Sequence, residues 1–175
     1  KDWGTDFIQN SEGNNSFTPS EVYEDTVLFG RGSKIVSLNV TSDTITTDAT
    51  PAFNMPSGYD CLTIDKGSNG ILFGFNFQGK GVLVLWDNFS DRSIAPWIEL
   101  QDRLVSVCKY QGNWIVITTK EILLTNGYST TTLASTFLDS LHTSYSSILY
   151  PKTSAVVGDD LYMTLGLSYN GKRRA

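Results

Sequence analysis

Residues 104–127 read LVSVCKYQGNWIVITTKEILLTNG, three short apolar runs with a turn between each. The runs cover 104–110, 114–119 and 122–125, and Gln111-Gly112-Asn113 and Lys120-Glu121 separate them. Short runs rich in β-branched and aromatic residues, bounded by Gly and Asn, predict strands joined by tight hairpins. The rest of the chain varies this unit. Strands are expected at 26–30, 34–40 and 44–48, with Val22 and Tyr23 ending an earlier one. After a loop marked by Pro51 and Pro56, strands follow at 61–65, 70–77, 81–87 and 97–100. Residues 133–138 are the expected last strand of the central unit, and 153–157 and 161–167 begin a further one, after which the chain stops. No window sustains helical periodicity, and the best helical candidate is 133–141.

The unit recurs. Second-strand cores begin at Val27, Ile71, Trp114 and Leu161, separated by 44, 43 and 47 residues. A period of about 40–50 residues with four short strands per unit is the pattern of propeller blades. The polarity agrees. Residues 82–86, 114–117 and 122–124 are continuously apolar, as strands covered on both faces are. The last strands, 44–48 and 97–100, mix in polar and charged residues, which suits an outer edge. The expectation is an all-β, antiparallel, β-propeller-like single domain over 1–175. Its four repeats of about 44 residues fall at about 16–50, 59–100, 103–139 and 150–175, the last incomplete. A β-sandwich or jelly roll, also built of short strands at regular spacing, is the structural rival. An incomplete repeat leaves an open edge that the segment around Trp3, more chain, or another subunit would have to close. The chain opens on Lys1, so a processed product or a piece of something larger is expected.

Charged residues make up only 18% of the chain and the net charge is −5, which argues against a general phosphate-binding surface. The one basic cluster, Lys172-Arg173-Arg174, reads as a solvated tail. No apolar run approaches the roughly 20 residues of a membrane span, and the start has no secretory hydrophobic region. Cys61 and Cys108 lie in apolar strand-like runs without metal-type spacing, so buried free thiols are expected.

Catalytic chemistry has little to work with. His142 is the only histidine, and there is no P-loop, dinucleotide fingerprint, nucleophile elbow or EF-hand spacing. No catalytic, cofactor-binding or metal residue is therefore assigned. Glycosidases need only two carboxylates, and Asp65, Asp87, Asp91, Glu99, Asp102, Asp139, Asp159 and Asp160 are the candidates. Most fall at expected turns, where Asp bonds to local backbone N–H groups. Thr63-Ile64-Asp65-Lys66-Gly67 resembles the start of the Asp-box of sialidase-type propellers, with Gly70 where the aromatic belongs. Trp86 and Trp114 lie inside apolar strands and read as core. Trp97, Tyr128, Tyr145 and Tyr169, near turns, are the binding candidates, able to stack on a sugar ring or fill a partner's pocket.

Two stretches carry a resemblance to a known family: QGNWIVITTKEILLTNG at 111–127 and YPKTSAVVGDDLYMTL at 150–165. Their order of strand, Gly-Asn or Gly-Asp turn and apolar strand is similar to the blade pattern of tail hub, nozzle and adaptor propellers of short-tailed bacteriophages. The resemblance covers roughly residues 100–167, with weaker echoes earlier. It implies a non-enzymatic virion structural protein, part of a symmetric ring around a DNA channel. Its partners would be other copies of itself and other virion proteins, with no cofactor and no specific nucleic-acid binding. An acidic surface suits a channel that must let DNA pass without sticking. The alternative, motivated by Asp and aromatic residues at turns, is an extracellular carbohydrate-binding or glycoside-cleaving propeller module with a glycan partner. A β-sandwich adhesin is a third reading.

Overall fold

In the computed structural model, described over residues 19–24, 26–39, 44–46, 52–86, 97–135, 154–163, 167–169 and 172–174, the regular structure is all antiparallel β. No helix occurs among the described residues, so none there is long and apolar enough to cross a membrane. The first sheet runs in chain order through β1 (Ser20–Tyr23), β2 (Thr26–Arg31), β3 (Lys34–Asn39) and β4 (Thr44–Thr46), and β5 (Phe53–Asn54) also pairs with β3. The second sheet is β6 (Asp60–Lys66), β7 (Ile71–Phe77), β8 (Lys80–Trp86) and β9 (Trp97–Glu99). The third is β10 (Leu104–Tyr110), β11 (Asn113–Thr118), β12 (Glu121–Thr125) and β13 (Thr130–Ser135). A fourth sheet pairs β14 (Ser154–Val157) with β15 (Asp160–Met163), and a last hairpin pairs β16 (Leu167–Tyr169) with β17 (Lys172–Arg174).

Local chemistry sets the hairpins. Gln78 and Gly79 (φ 49° and 80°) join β7 to β8, and Gln111 and Gly112 (φ 46° and 82°) join β10 to β11. Two-residue turns with both φ positive match the right-handed twist of the strands they connect.

Alternation along each strand then builds the core, because successive side chains point to opposite faces. In β7 and β8, Ile71, Phe73, Phe75, Val82, Val84 and Trp86 pack with Leu28, Ile35 and Phe53 of the first sheet. The intervening Leu72, Leu83 and Leu85 pack with Leu104, Trp114, Val116 and Leu123 of the third. In β11, Ile115 and Ile117 turn the other way, toward Val156 and Leu161 of the fourth sheet. The continuously apolar strands are thus buried on both faces, and Trp86 and Trp114 are core residues as expected.

Consecutive sheets meet chiefly near their first strands: β1 and β2 lie against β6, β6 against β10, and β10 against β14. The fourth strands β4, β9 and β13 take no comparable part. Both β6 and β10 break register at the same place, between Cys61 and Thr63 and, 43 residues on, between Leu104 and Ser106. Polar links reinforce the contacts. The Asn76 side chain accepts from Leu104 N–H (2.9 Å) and donates to Leu104 C=O (3.0 Å), tying the end of β7 to the start of β10. Ser106 and Ser154 share a hydroxyl hydrogen bond of 2.6 Å between β10 and β14. Cys61 N–H reaches Gly32 C=O (2.8 Å), and Ser68 N–H reaches Gly112 C=O (3.2 Å).

The structure departs from the sequence-based expectation in four places. The last strand of the third sheet is Thr130–Ser135, so 133–135 are extended and not helical; 136–141 lie outside the described residues. The Pro51–Pro56 loop contains β5, held by pairing of Lys34 with Asn54 and Ile35 with Phe53. The chain does not end its strands at 167, because β16 and β17 follow. Lys172-Arg173-Arg174, read as a solvated tail, has its backbone paired in β17.

Candidate functional site

The four aromatic candidates fare differently. Trp97, at the start of β9, is half-buried and packs against the core between the first and second sheets. Tyr59 meets it edge-on, with ring centroids 5.8 Å apart, and Tyr59 itself stacks on Phe77 at 4.5 Å and 10°. The indole nitrogen of Trp97 is buried and has no hydrogen-bond partner among the described residues. Trp97 is thus the outer end of an aromatic row, partly covered by it. Tyr169 lies in β16 opposite Lys172. Tyr145 lies outside the described residues.

Tyr128 is presented outward, with 52% of its surface exposed. The turn beneath it is locked. Asn126 Oδ1 accepts from the backbone N–H of Tyr128 (2.9 Å) and Ser129 (3.0 Å), an Asx turn. Thr125 Oγ1 donates to Ser129 C=O (2.6 Å) and accepts from Gly127 N–H (3.0 Å). Gly127, at φ 93°, sits buried against Leu85, where a side chain would collide. An exposed aromatic on a rigid turn loses little conformational freedom on contact, which suits a protein or sugar surface. β13 follows directly, and all six of its residues are exposed, including Leu133.

The described carboxylates lie at separate places in the fold. Asp102 is engaged by Lys120 at 3.1 Å. Glu99 is exposed on β9, and Asp159 and Asp160 are exposed at the β14–β15 turn. Asp65 is half-buried on β6, and its charge acts on Cys108. Asp87, Asp91, Asp139 and His142 lie outside the described residues. Among the described residues, no three His, Cys, Asp or Glu side chains gather as a metal site. In the stretch resembling an Asp-box, the ring packed against Gly67 comes from Trp114 of the next sheet.

Cys61 and Cys108 are buried free thiols, as expected. Burial pushes the Cys108 thiol above its ordinary range, the Ser154 hydroxyl draws it down, and the charge of Asp65 adds to the rise. The sign follows: a thiol held protonated by the fold stabilises it fully below the ordinary thiol range. As pH climbs through that range the unfolded thiol ionises first, and stability is lost. Native protein should therefore resist thiol reagents until it unfolds. Its stability should fall above the ordinary thiol range with a steeper slope than that of Cys108→Ala, measured by urea unfolding across pH. Equal slopes would contradict this.

The surfaces that sequence reasoning missed are apolar residues read as ordinary strand positions. Val22 (57%), Val157 (64%) and Tyr162 (57%) stand exposed on β1, β14 and β15. A signal was present: strands apolar on both sides should be covered on both sides. No protein-family model, curated protein or solved structure matches this chain.

Proposed function

We propose that this chain is a non-enzymatic structural protein whose sheets are the blades of a propeller-like ring, and that it serves in the tail or connector of a virus particle. The observation that supports the blade reading is the run of contacts from β1 and β2 to β6, from β6 to β10 and from β10 to β14, in which the fourth strands take no comparable part. Sheets that meet at one edge and stand apart at the other radiate from an axis, as blades do. The two faces of a sandwich would instead meet across their breadth. The virion assignment rests on the resemblance of 111–127 and 150–165 to tail propellers. The net charge of −5 fits a ring that DNA passes without being held. The test is made on purified source particles. The chain should remain with them, in fixed ratio to the other structural proteins, through gradient purification and nuclease treatment. Its absence from washed particles would overturn the virion reading.

A further inference from the structure

We propose that Asn69 is a site of spontaneous covalent modification, where the side-chain amide leaves as ammonia and the turn beside the junction of the second and third sheets is remade as aspartate or isoaspartate. The inference stands apart from the ring and virion readings and needs neither.

The chain holds three Asn-Gly pairs, at 69–70, 126–127 and 170–171, the last outside the described residues. Asparagine is thermolabile because the backbone nitrogen that follows it can attack its own carboxamide, an intramolecular step favoured by proximity. Glycine leaves that nitrogen uncovered, having no Cβ. In folded protein the attack needs a free side chain, an unused N–H and access to water.

Asn69 meets these needs. It stands exposed in the turn 67–70 between β6 and β7, and Gly70 is partly exposed beside it. Among the described residues, neither the Asn69 side chain nor the Gly70 N–H has a hydrogen-bond partner. The turn is held by other atoms. Gly67 N–H donates to Gly70 C=O (2.9 Å), Ser68 N–H donates to Gly112 C=O (3.2 Å), and Gly67 lies against the Trp114 ring.

Asn126 shows the opposite arrangement. Its Oδ1 accepts from Tyr128 and Ser129 N–H, and Gly127 N–H donates to Thr125 Oγ1 (3.0 Å). Gly127 is also buried against Leu85. The nucleophile there is occupied and shut off from water, so the same dipeptide is protected.

The reaction needs water alone. Gly70 N gives its proton to solvent and bonds to Asn69 Cγ, the bond from Cγ to the amide nitrogen breaks, and that nitrogen leaves as ammonia. Water then opens the cyclic imide at either carbonyl, giving aspartate or isoaspartate, and nothing is oxidised or reduced. Both products add a negative charge to a chain already at −5. Isoaspartate also lengthens the main chain between Ser68 and Gly70. The Ser68 link to Gly112 and the packing of Gly67 on Trp114 lie next to that change, so conversion loosens the join between the second and third sheets.

The test keeps folded protein at mildly alkaline pH beside the same protein in urea, then sequences the tryptic peptides 67–80 and 121–152 by mass spectrometry. In urea both asparagines should convert alike. In folded protein most of Asn69 should become aspartate and isoaspartate while Asn126 keeps its amide. Asn69 intact in folded protein, or Asn126 lost as fast as Asn69, would overturn the inference. Ion exchange separates the converted chain by its added charge. Its urea midpoint should lie below that of fresh Asn69→Asp, which carries the charge without the longer backbone. Equal midpoints would overturn the loosening of the junction.

Discussion

Replacing Trp114 with alanine should lower the unfolding free energy by about 3–5 kcal/mol, the range for deleting a large buried aromatic. Trp114 has no exposed surface and lies at the junction of the second and third sheets, with Leu72, Leu83, Leu85, Leu104 and Leu123 in the same cluster. Its ring also lies against Gly67, so the turn before β7 rests on it. Sheets on both sides restrict collapse into the vacated space, which places the loss toward the upper part of that range. The indole nitrogen has no hydrogen-bond partner among the described residues, so no polar interaction with them is lost with the ring. Trp114→Phe should therefore lose clearly less than Trp114→Ala. Urea unfolding of the two variants beside the parent decides this. A loss below about 1 kcal/mol for Trp114→Ala would contradict a sheet junction packed around this residue.

Asn76→Ala should cost about 2–4 kcal/mol, because it removes two hydrogen bonds and strands both backbone groups of a buried residue. Leu104 is 1% exposed, and the Asn76 amide satisfies its N–H and its C=O together. The amide acts as a short strand, supplying an acceptor and a donor where the register of β10 breaks. Asn76→Asp separates the two roles. Its carboxylate can accept from Leu104 N–H but cannot donate to Leu104 C=O, and it places charge beside that carbonyl. At neutral pH the aspartate variant should be no better than alanine. As pH falls, protonation restores a donor, and the gap to the parent should narrow. Denaturant midpoints of the three proteins at neutral and acid pH would show it. An aspartate variant equal to the parent at neutral pH would contradict the paired role.

Much of the fold is legible in the sequence because its physics is local. The continuously apolar run 82–86 announces burial on both faces, and Gln78-Gly79 and Gln111-Gly112 announce tight hairpins. The strands at 26–31, 34–39, 60–66 and 104–110 follow from these signals to within a residue or so. What is not legible depends on distant partners. β5 is two residues long and exists because β3 offers Lys34 and Ile35 to pair with. Trp97 sits beside Pro96 like a loop aromatic, and only Tyr59 and the core beneath it show that it is packed away. Asn76 reads as a strand-end polar residue, and its role comes from Leu104, 28 positions on. The exposed face of β14 and β15 was hidden for the opposite reason. Val157 and Tyr162 belong to runs that look buried, and only their exposure and the stacking order show that, among the described strands, the fourth sheet is packed chiefly on one side.

Whether the chain is a structural part of a virus particle is read most directly from the protein composition of washed, nuclease-treated source particles. Its presence there in fixed ratio to the other structural proteins is the predicted result. Its absence from washed particles would contradict the account.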